Sequence, residues 1–194
     1  MRLLILTALL TTFVYGFGQI DFEPDSDKVA LFPEVTRKIR NLPTDFDFQL
    51  RFWIHGGIAL PDAKNLFIMT YKNGKWDSQS YKFCYKKRTQ FNIVENSDSI
   101  WEYFKENEIL SLPDMQALKE EFYTINENGD TGKICVIDGL GYTFEFIKYD
   151  KYKRINYHCP ITYGETYTHI RELQFVSNII RLIYRKIGNE NEPC

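Results

Sequence analysis

The sequence predicts an α+β fold, in which a mostly antiparallel sheet of about six strands, built as two hairpin or meander units, carries a long C-terminal helix on one face. Two blocks, residues 48–85 and 134–159, show the apolar and polar alternation of half-buried strands. Short turn sequences interrupt both blocks, which favours antiparallel pairing. Residues 166–187 carry an apolar stripe at helical spacing, and two to three shorter helical patterns precede it.

The first residues are typical of a secretory signal peptide. Met1-Arg2 gives a positive start, Leu3–Phe17 is mainly apolar, and Gly16-Phe17-Gly18 supplies the small residues that a signal peptidase requires. Because the apolar run is shorter than the ~20 residues that cross a bilayer, we expect cleavage rather than a retained anchor. Residues 1–18 are therefore predicted to be a signal peptide. Residues 19–194 are expected to form a single exported domain, periplasmic or extracellular, without a membrane span.

The composition limits the partners of the mature chain. Hydrophobic residues make up 44% of the sequence and aromatic residues 16%, which is enough for a core. The formal net charge is −2, and Lys and Arg are spread through the chain rather than gathered in a stripe. Nucleic acid is therefore not an expected partner. No cofactor is predicted, and the sequence does not fix the partner, for which a protein or a cell-envelope component is our expectation.

The first half of the chain begins with a predicted helix and continues with strands. Residues 32–42 place apolar side chains at helical spacing, with Pro33 in the first turn, where proline is tolerated. Phe48–His55 alternates as a half-buried strand does. Two further β-rich runs in residues 66–76 are joined by Asn73-Gly74, a dipeptide typical of a tight hairpin turn.

Two short helices are predicted next. The first covers residues 99–110, with Ser99 and Glu102 spaced as a capping box, and the second covers residues 113–123.

A three-stranded meander is predicted for the second half. Its strands are Ile134–Asp138, Tyr142–Tyr149 and Tyr152–Cys159. Tight turns would give it one apolar face, formed by Ile134, Val136, Tyr142, Phe144, Phe146, Ile155, Tyr157 and Cys159. We expect the final helix, residues 166–187 with Gly188 as its stop, to lie across that face.

Cys84, Cys135, Cys159 and Cys194 are disulfide candidates, because an exported chain meets an oxidising compartment. In the predicted register, which places Cys159 opposite Tyr142, Cys135 and Cys159 lie two strand spacings apart and point to opposite faces of the sheet. A disulfide requires Cα atoms within about 7 Å, so this pair is excluded. The other pairings stay open.

No metal site is predicted. The cysteines lack a C-x-x-C spacing, and His158 and Cys159 would point to opposite faces of a strand. The loop 126–132 has oxygen donors at alternating positions, as a calcium loop has. However, Thr131 stands where such a loop needs glycine, and Ile137 where it needs a bidentate glutamate. We interpret the loop as an ordinary turn.

Arg51, Trp53 and His55 are the candidate binding residues. They share the more polar face of their strand, and Trp and Arg often anchor partners. The alternative is that the N-terminal helix covers them. His55 also ends its strand before Gly56-Gly57, where a side chain can face a cleft and act as a base.

The sequence leaves open whether the protein is an enzyme, and it identifies no catalytic residue. No serine lies in a G-x-S-x-G turn, and Asp138 and Glu145 would face opposite sides of the sheet, unlike a glycosidase pair. We expect an exported, non-catalytic binding or interaction module; the alternative is a small exported hydrolase with a site near His55. A deep pocket with Ser, Asp or Glu beside His55 would favour the hydrolase, and a flat aromatic patch would favour binding.

The export hypothesis makes a direct prediction about the mature N-terminus. Mass spectrometry of the exported protein should find Gln19 as the first residue, open or cyclised to pyroglutamate, because cleavage is expected after Gly18. An exported product that retains Met1 would contradict it.

Overall fold

A computed structural model describes residues 20–25, 36–37, 39, 41–56, 63–83, 90–125, 128–136 and 139–188 of the chain. The strands with bounds in these residues are β1 (Phe48–His55), β2 (Ala63–Lys72), β3 (Lys75–Lys82), β4 (Gln90–Val94), β5 (Thr124–Ile125), β6 (Thr131–Gly132), β7 (Gly141–Lys148) and β8 (Lys151–His158). The helices with bounds there are α1 (Ser97–Glu106), a 3-10 helix (Met115–Glu121), α2 (Pro160–Thr166) and α3 (Arg171–Ile187). Most of the predicted helix 32–42 lies outside the described residues; Thr36 and Arg37 are helical.

Six strands form one antiparallel sheet in the order β4-β3-β2-β1-β7-β8, and β5 pairs with β6 in a separate ribbon. This confirms the predicted α+β class with its antiparallel sheet and C-terminal helix. The strands are divided between the two units differently from the prediction. The first unit is a four-stranded meander because Gln90–Val94 adds β4, and the second unit is a single hairpin.

The prediction of a strand over Ile134–Asp138 is wrong for residues 134–136, which are the ones that the structure describes. Residues 133–136 have no regular secondary structure, and residues 137–138 lie outside the described residues. β7 pairs with β1 in the place predicted for this strand. The backbone of the segment instead bonds to tyrosine hydroxyls: the N–H of Ile134 donates to Tyr167 Oη at 2.6 Å, and that of Val136 to Tyr163 Oη at 2.9 Å.

Two tight turns set the register of the hairpins. Asn73-Gly74 joins β2 to β3 with positive φ at both residues, 50° and 81°, as predicted. Tyr149-Asp150 joins β7 to β8 and pairs Tyr142 with Tyr157 rather than with Cys159. The predicted register was therefore wrong by two residues, a shift that leaves the side chains of both strands on their predicted faces.

The short helices begin at other residues than predicted. α1 begins at Ser97, two residues before Ser99, so the predicted capping box is wrong. The predicted helix 113–123 is a shorter 3-10 helix. Asp114 caps it, since its side chain accepts a hydrogen bond from the N–H of Gln116 at 2.9 Å.

The predicted final helix, residues 166–187, is interrupted. α2 ends at Thr166 and α3 begins at Arg171; between them, Tyr167 has a non-helical backbone and is fully buried. Gly188 ends α3 in the left-handed conformation, with φ of 69°, which confirms the predicted stop.

The main core lies between α3 and one face of the sheet. The sheet contributes alternate residues of β1 and β7, namely Phe48, Leu50, Phe52, Ile54, Tyr142, Phe144 and Phe146. α3 contributes Leu173, Val176, Ile179, Ile180 and Ile183, all fully buried. Each such side chain contributes about 1.5–3 kcal/mol through burial.

The outer edge of β8 is closed by side chains. Three alternate backbone N–H groups, those of Arg154, Asn156 and His158, donate in turn to Asp25 Oδ2 at 2.6 Å, Asp114 Oδ2 at 2.8 Å and Met115 Sδ at 3.2 Å. This edge therefore has few open donors for another strand, and the start of the 3-10 helix is fixed against it.

Replacement of Ile180 with Asp should prevent folding. The change places a charge in the seam between α3 and the sheet, at a cost of several kcal/mol, comparable with the whole stability of a domain. The control is Arg185→Asp on the exposed side of α3, expected to cost about 1 kcal/mol or less. Thermal unfolding measures both, and equal melting temperatures for the parent and Ile180→Asp would contradict the packing.

Candidate functional site

A cavity of about 640 Å³ opens at one end of the sheet, beneath the 3-10 helix. Its apolar wall is formed by Met115, Phe122, Ile134, Tyr157 and Tyr163. Pockets that bind small molecules generally have volumes of about 300–1,000 Å³ and a mostly apolar lining. The cavity therefore has the size and lining of a small-molecule site.

The floor of the cavity is the end of three neighbouring strands. Gly141 of β7 pairs with His55 of β1 on one side and with His158 of β8 on the other. A Cβ atom at Gly141 would lie 2.0 Å from His55 Cε1, so the imidazole occupies the space above the glycine. Glycine is thus required at this position for the ring of His55 to lie across the floor.

The ring of His55 is engaged at both nitrogens. Nδ1 lies 2.9 Å from the carbonyl oxygen of Gly56, and Nε2 lies 3.2 Å from the hydroxyl of Thr143. The chain of polar contacts continues from Thr143 to Asn156 Oδ1 at 2.9 Å and from Asn156 Nδ2 to Asp114 at 3.0 Å. Burial lowers the pKa of His55; the hydrogen bond to Gly56 opposes this shift and the neighbouring His158 adds to it, so that the neutral ring is favoured.

The contacts of His55 bear on whether it could act as a base. Nδ1 faces a backbone carbonyl and Nε2 faces the hydroxyl of Thr143, the position that a nucleophile would take. Thr143 is 0% exposed. The geometry combines a deep pocket at His55 with a buried threonine instead of the serine, aspartate or glutamate that would have favoured a hydrolase.

Segment 133–136 forms one side of the cavity and is fastened by side chains. Tyr167 Oη accepts from the N–H of Ile134 and donates to its carbonyl oxygen at 3.1 Å. Tyr163 Oη accepts from the N–H of Val136, whose carbonyl oxygen lies 3.1 Å from His158 Nε2. Tyr163 and Tyr167 stack with ring centroids 6.0 Å apart, which aligns both hydroxyls with alternate residues of the segment.

Four charged side chains line the cavity, and they differ in how they are bonded. The Asp114 carboxylate accepts three hydrogen bonds, from the N–H of Gln116 and from the backbone and side-chain nitrogens of Asn156. Lys119, Glu120 and Lys133 are exposed at the mouth. The cavity thus joins an apolar wall to a polar floor and a charged rim.

Of the three binding residues predicted from the sequence, the structure brings only His55 to the cavity. Trp53 is 0% exposed, and its Nε1 donates to Glu145 at 2.7 Å. Arg51 is 9% exposed, and its Nε donates to Gln49 at 2.6 Å.

The buried polar face around Arg51 is a connected cluster. Burial lowers the pKa of Arg51, and the carboxylate of Glu145 on the neighbouring strand partly restores it. Tyr152 also donates to Glu145, at 2.6 Å, and burial together with that carboxylate raises the pKa of Tyr152. Ligand binding by Arg51 and Trp53 stays a prediction, but these two side chains do not form an exposed anchor surface.

Sequence reasoning missed most of the cavity. Tyr163 lies before the predicted final helix and Tyr167 at its start, and neither was a candidate, although their i, i+4 spacing suits two side chains on one side of a helix. Lys119 and Lys133 are far apart in sequence and carried no signal. His158 had been considered only as a metal ligand.

Cys135, which is exposed beside the cavity, and Cys159, which is buried, are not joined by a disulfide. The strand register from which this pair was excluded is nevertheless wrong. Cys84 and Cys194 lie outside the described residues, so disulfide formation stays a prediction. Within the described ranges, no cluster of three or more His, Cys, Asp or Glu side chains could hold a metal ion, and no helix there has the length and apolar character to span a membrane.

The chain matches no protein-family model, no curated protein and no solved structure.

The contact between Gly141 and His55 predicts a strong coupling. Gly141→Ala should destabilise the parent by about 1–3 kcal/mol, because the added methyl must displace a ring that lies between Gly56 and Thr143. The same change in a His55→Ala background should cost much less, since the obstructing atoms are gone. Urea unfolding of the parent, both single variants and the double variant gives the coupling energy, and an equal cost in both backgrounds would show that the ring does not occupy this space.

Proposed function

We propose that the protein is an exported binding protein that holds a small, mainly apolar molecule in the cavity above His55, Gly141 and His158. The observation that carries this proposal is the cavity itself, with a volume of about 640 Å³ and an apolar wall. Export remains the part of the proposal that rests on the N-terminal sequence.

The burial of the polar sheet face supports a small ligand over a macromolecular partner. Protein interfaces are usually anchored by exposed Trp, Tyr or Arg side chains. The two candidates for that role, Arg51 and Trp53, are committed to Gln49 and Glu145 inside the protein. The cavity, in contrast, is open to solvent at the exposed residues Lys119, Glu120 and Ile134.

The bonding of His55 supports binding over catalysis. Its two ring nitrogens hold Gly56 and the buried Thr143, so the imidazole shapes the floor of the cavity. The hydrolase near His55 remains the alternative. Turnover of p-nitrophenyl acetate by the parent that disappears in His55→Asn would favour that alternative.

A fluorescent apolar probe tests the binding proposal. N-phenyl-1-naphthylamine, which is uncharged, should bind the parent with a rise in fluorescence. Ile134→Asp should weaken its binding about tenfold, because a charge in the apolar wall is costly to desolvate. Ile134 is 50% exposed, so the variant should still fold.

The matched control is Ile125→Asp. Ile125 is 65% exposed and lies on the β5–β6 ribbon away from the cavity lining, so this variant should bind the probe as the parent does. Absence of probe binding by the parent, or equal weakening by both substitutions, would overturn the proposal.

A further inference from the structure

Several hydrogen-bond acceptors of the cavity lining are already used by the protein. Both oxygens of Asp114 accept hydrogen bonds, with donors at 2.8 to 3.0 Å. Asn156 Oδ1 accepts from Thr143, and the carbonyl oxygen of Val136 faces His158 Nε2. A ligand group that donates hydrogen bonds therefore finds few free acceptors in the cavity.

One buried donor is not used. Tyr163 is 8% exposed and its Oη accepts from the N–H of Val136, but its own O–H proton has no acceptor in the part of the chain that the structure describes. The neighbouring Tyr167 differs, because its hydroxyl both accepts from and donates to Ile134. When a ligand displaces solvent from the cavity, a donor left without an acceptor is costly, so Tyr163 favours a ligand that brings an acceptor.

The rim carries the ammonium groups of Lys119 and Lys133, which form no ion pair within the described residues. Lys72, Lys105 and Lys151 each form an ion pair. Within the described residues, the ammonium of Lys119 has no such partner, and the ammonium of Lys133 donates to the carbonyl oxygen of Lys119 at 3.2 Å.

Three other lining groups also count: Glu120, Gln116 and His158. Glu120 contributes a single negative charge at the mouth, and Gln116 offers one donor and one acceptor group. The remaining nitrogen of His158, Nδ1, accepts in the neutral ring and donates in the charged ring. At the mouth the two ammonium groups outnumber the carboxylate of Glu120, while the second carboxylate of the lining, that of Asp114, already accepts three hydrogen bonds.

We propose that the ligand is an apolar molecule with a carboxylate group, whose body lies against Met115, Phe122 and Ile134 and whose carboxylate accepts a hydrogen bond from Tyr163 beside the ammonium groups of Lys119 and Lys133. This inference rests on the proposed function. It adds the chemical class of the ligand to the site.

The first test compares ligands of equal apolar body. Laurate and 1-dodecanol have unbranched chains of equal carbon number, and 2-naphthoate and 2-naphthol have the same naphthalene ring. Each displaces bound N-phenyl-1-naphthylamine at pH 7.5. The acid should bind about tenfold more tightly than its alcohol, and added salt should reduce this difference. The acid that binds more tightly shows whether the apolar part of the ligand is an acyl chain or an aromatic ring.

The second test uses charge variants with opposite expected signs. Lys119→Gln and Lys133→Gln should each weaken the binding of laurate by about two- to fivefold, whereas Glu120→Gln should strengthen it by a similar factor. The binding of 1-dodecanol should stay the same in all three, because an alcohol carries no charge.

The third test distinguishes two roles of the Tyr163 hydroxyl: donating a hydrogen bond to the ligand, and holding residues 133–136 in place. Tyr163→Phe and Tyr167→Phe each remove one hydroxyl that holds residues 133–136, but only Tyr163 offers its proton to the cavity. Tyr163→Phe should weaken the binding of laurate about fivefold more than the binding of 1-dodecanol. Tyr167→Phe should affect both ligands equally.

The outcomes distinguish the two proposals. A parent that binds neither the probe nor 1-dodecanol would overturn the proposed function and this inference together. A parent that binds both, but binds laurate no better than 1-dodecanol and responds to none of the charge variants, would overturn the carboxylate alone and leave an apolar binding site.

Discussion

The carboxylate of Asp114 is the constraint on which the cavity depends. One oxygen caps the 3-10 helix, and the other accepts two hydrogen bonds from Asn156 on the edge strand. Hydrogen bonds to a charged group contribute about 1.5–3 kcal/mol each, more than bonds between neutral groups. The neighbours of Asp114 extend the attachment: Tyr157 donates to the carbonyl of Pro113, and the N–H of His158 donates to Met115. The height of the helix above the floor follows from these contacts.

The fold was predictable wherever a local sequence pattern also finds the pairing strand that it needs in the tertiary structure. Asn73-Gly74 requires a tight turn whatever surrounds it, and the alternation in β1 fixes which residues share a face. Ile134–Asp138 shows the limit of this reasoning. Its composition suits a strand, but strand propensity depends on a partner, and the tyrosines of α2 and the following loop supply the hydrogen bonds that a strand would have supplied.

The candidate site was predictable only at His55, and for a local reason: a histidine that ends a strand before two glycines is close to a loop opening. For Arg51 and Trp53, alternation predicted the correct face but could not show whether that face is covered. β1 lies in the middle of the sheet and is buried on both faces, so its polar residues bond to one another and to Glu145. Lys119, Lys133 and Tyr163 meet only through tertiary structure.

The fastening of residues 133–136 has a consequence for how this protein can change over evolution. Strands in a sheet are joined by main-chain atoms, which every substitution except proline preserves. Residues 133–136, which form one side of the cavity, are held by two phenol hydroxyls and an imidazole, and one codon change is enough to remove any one of these groups. The sheet can therefore tolerate sequence drift while this wall is retuned one side chain at a time, so that pocket shape can diversify faster than the framework that supports it.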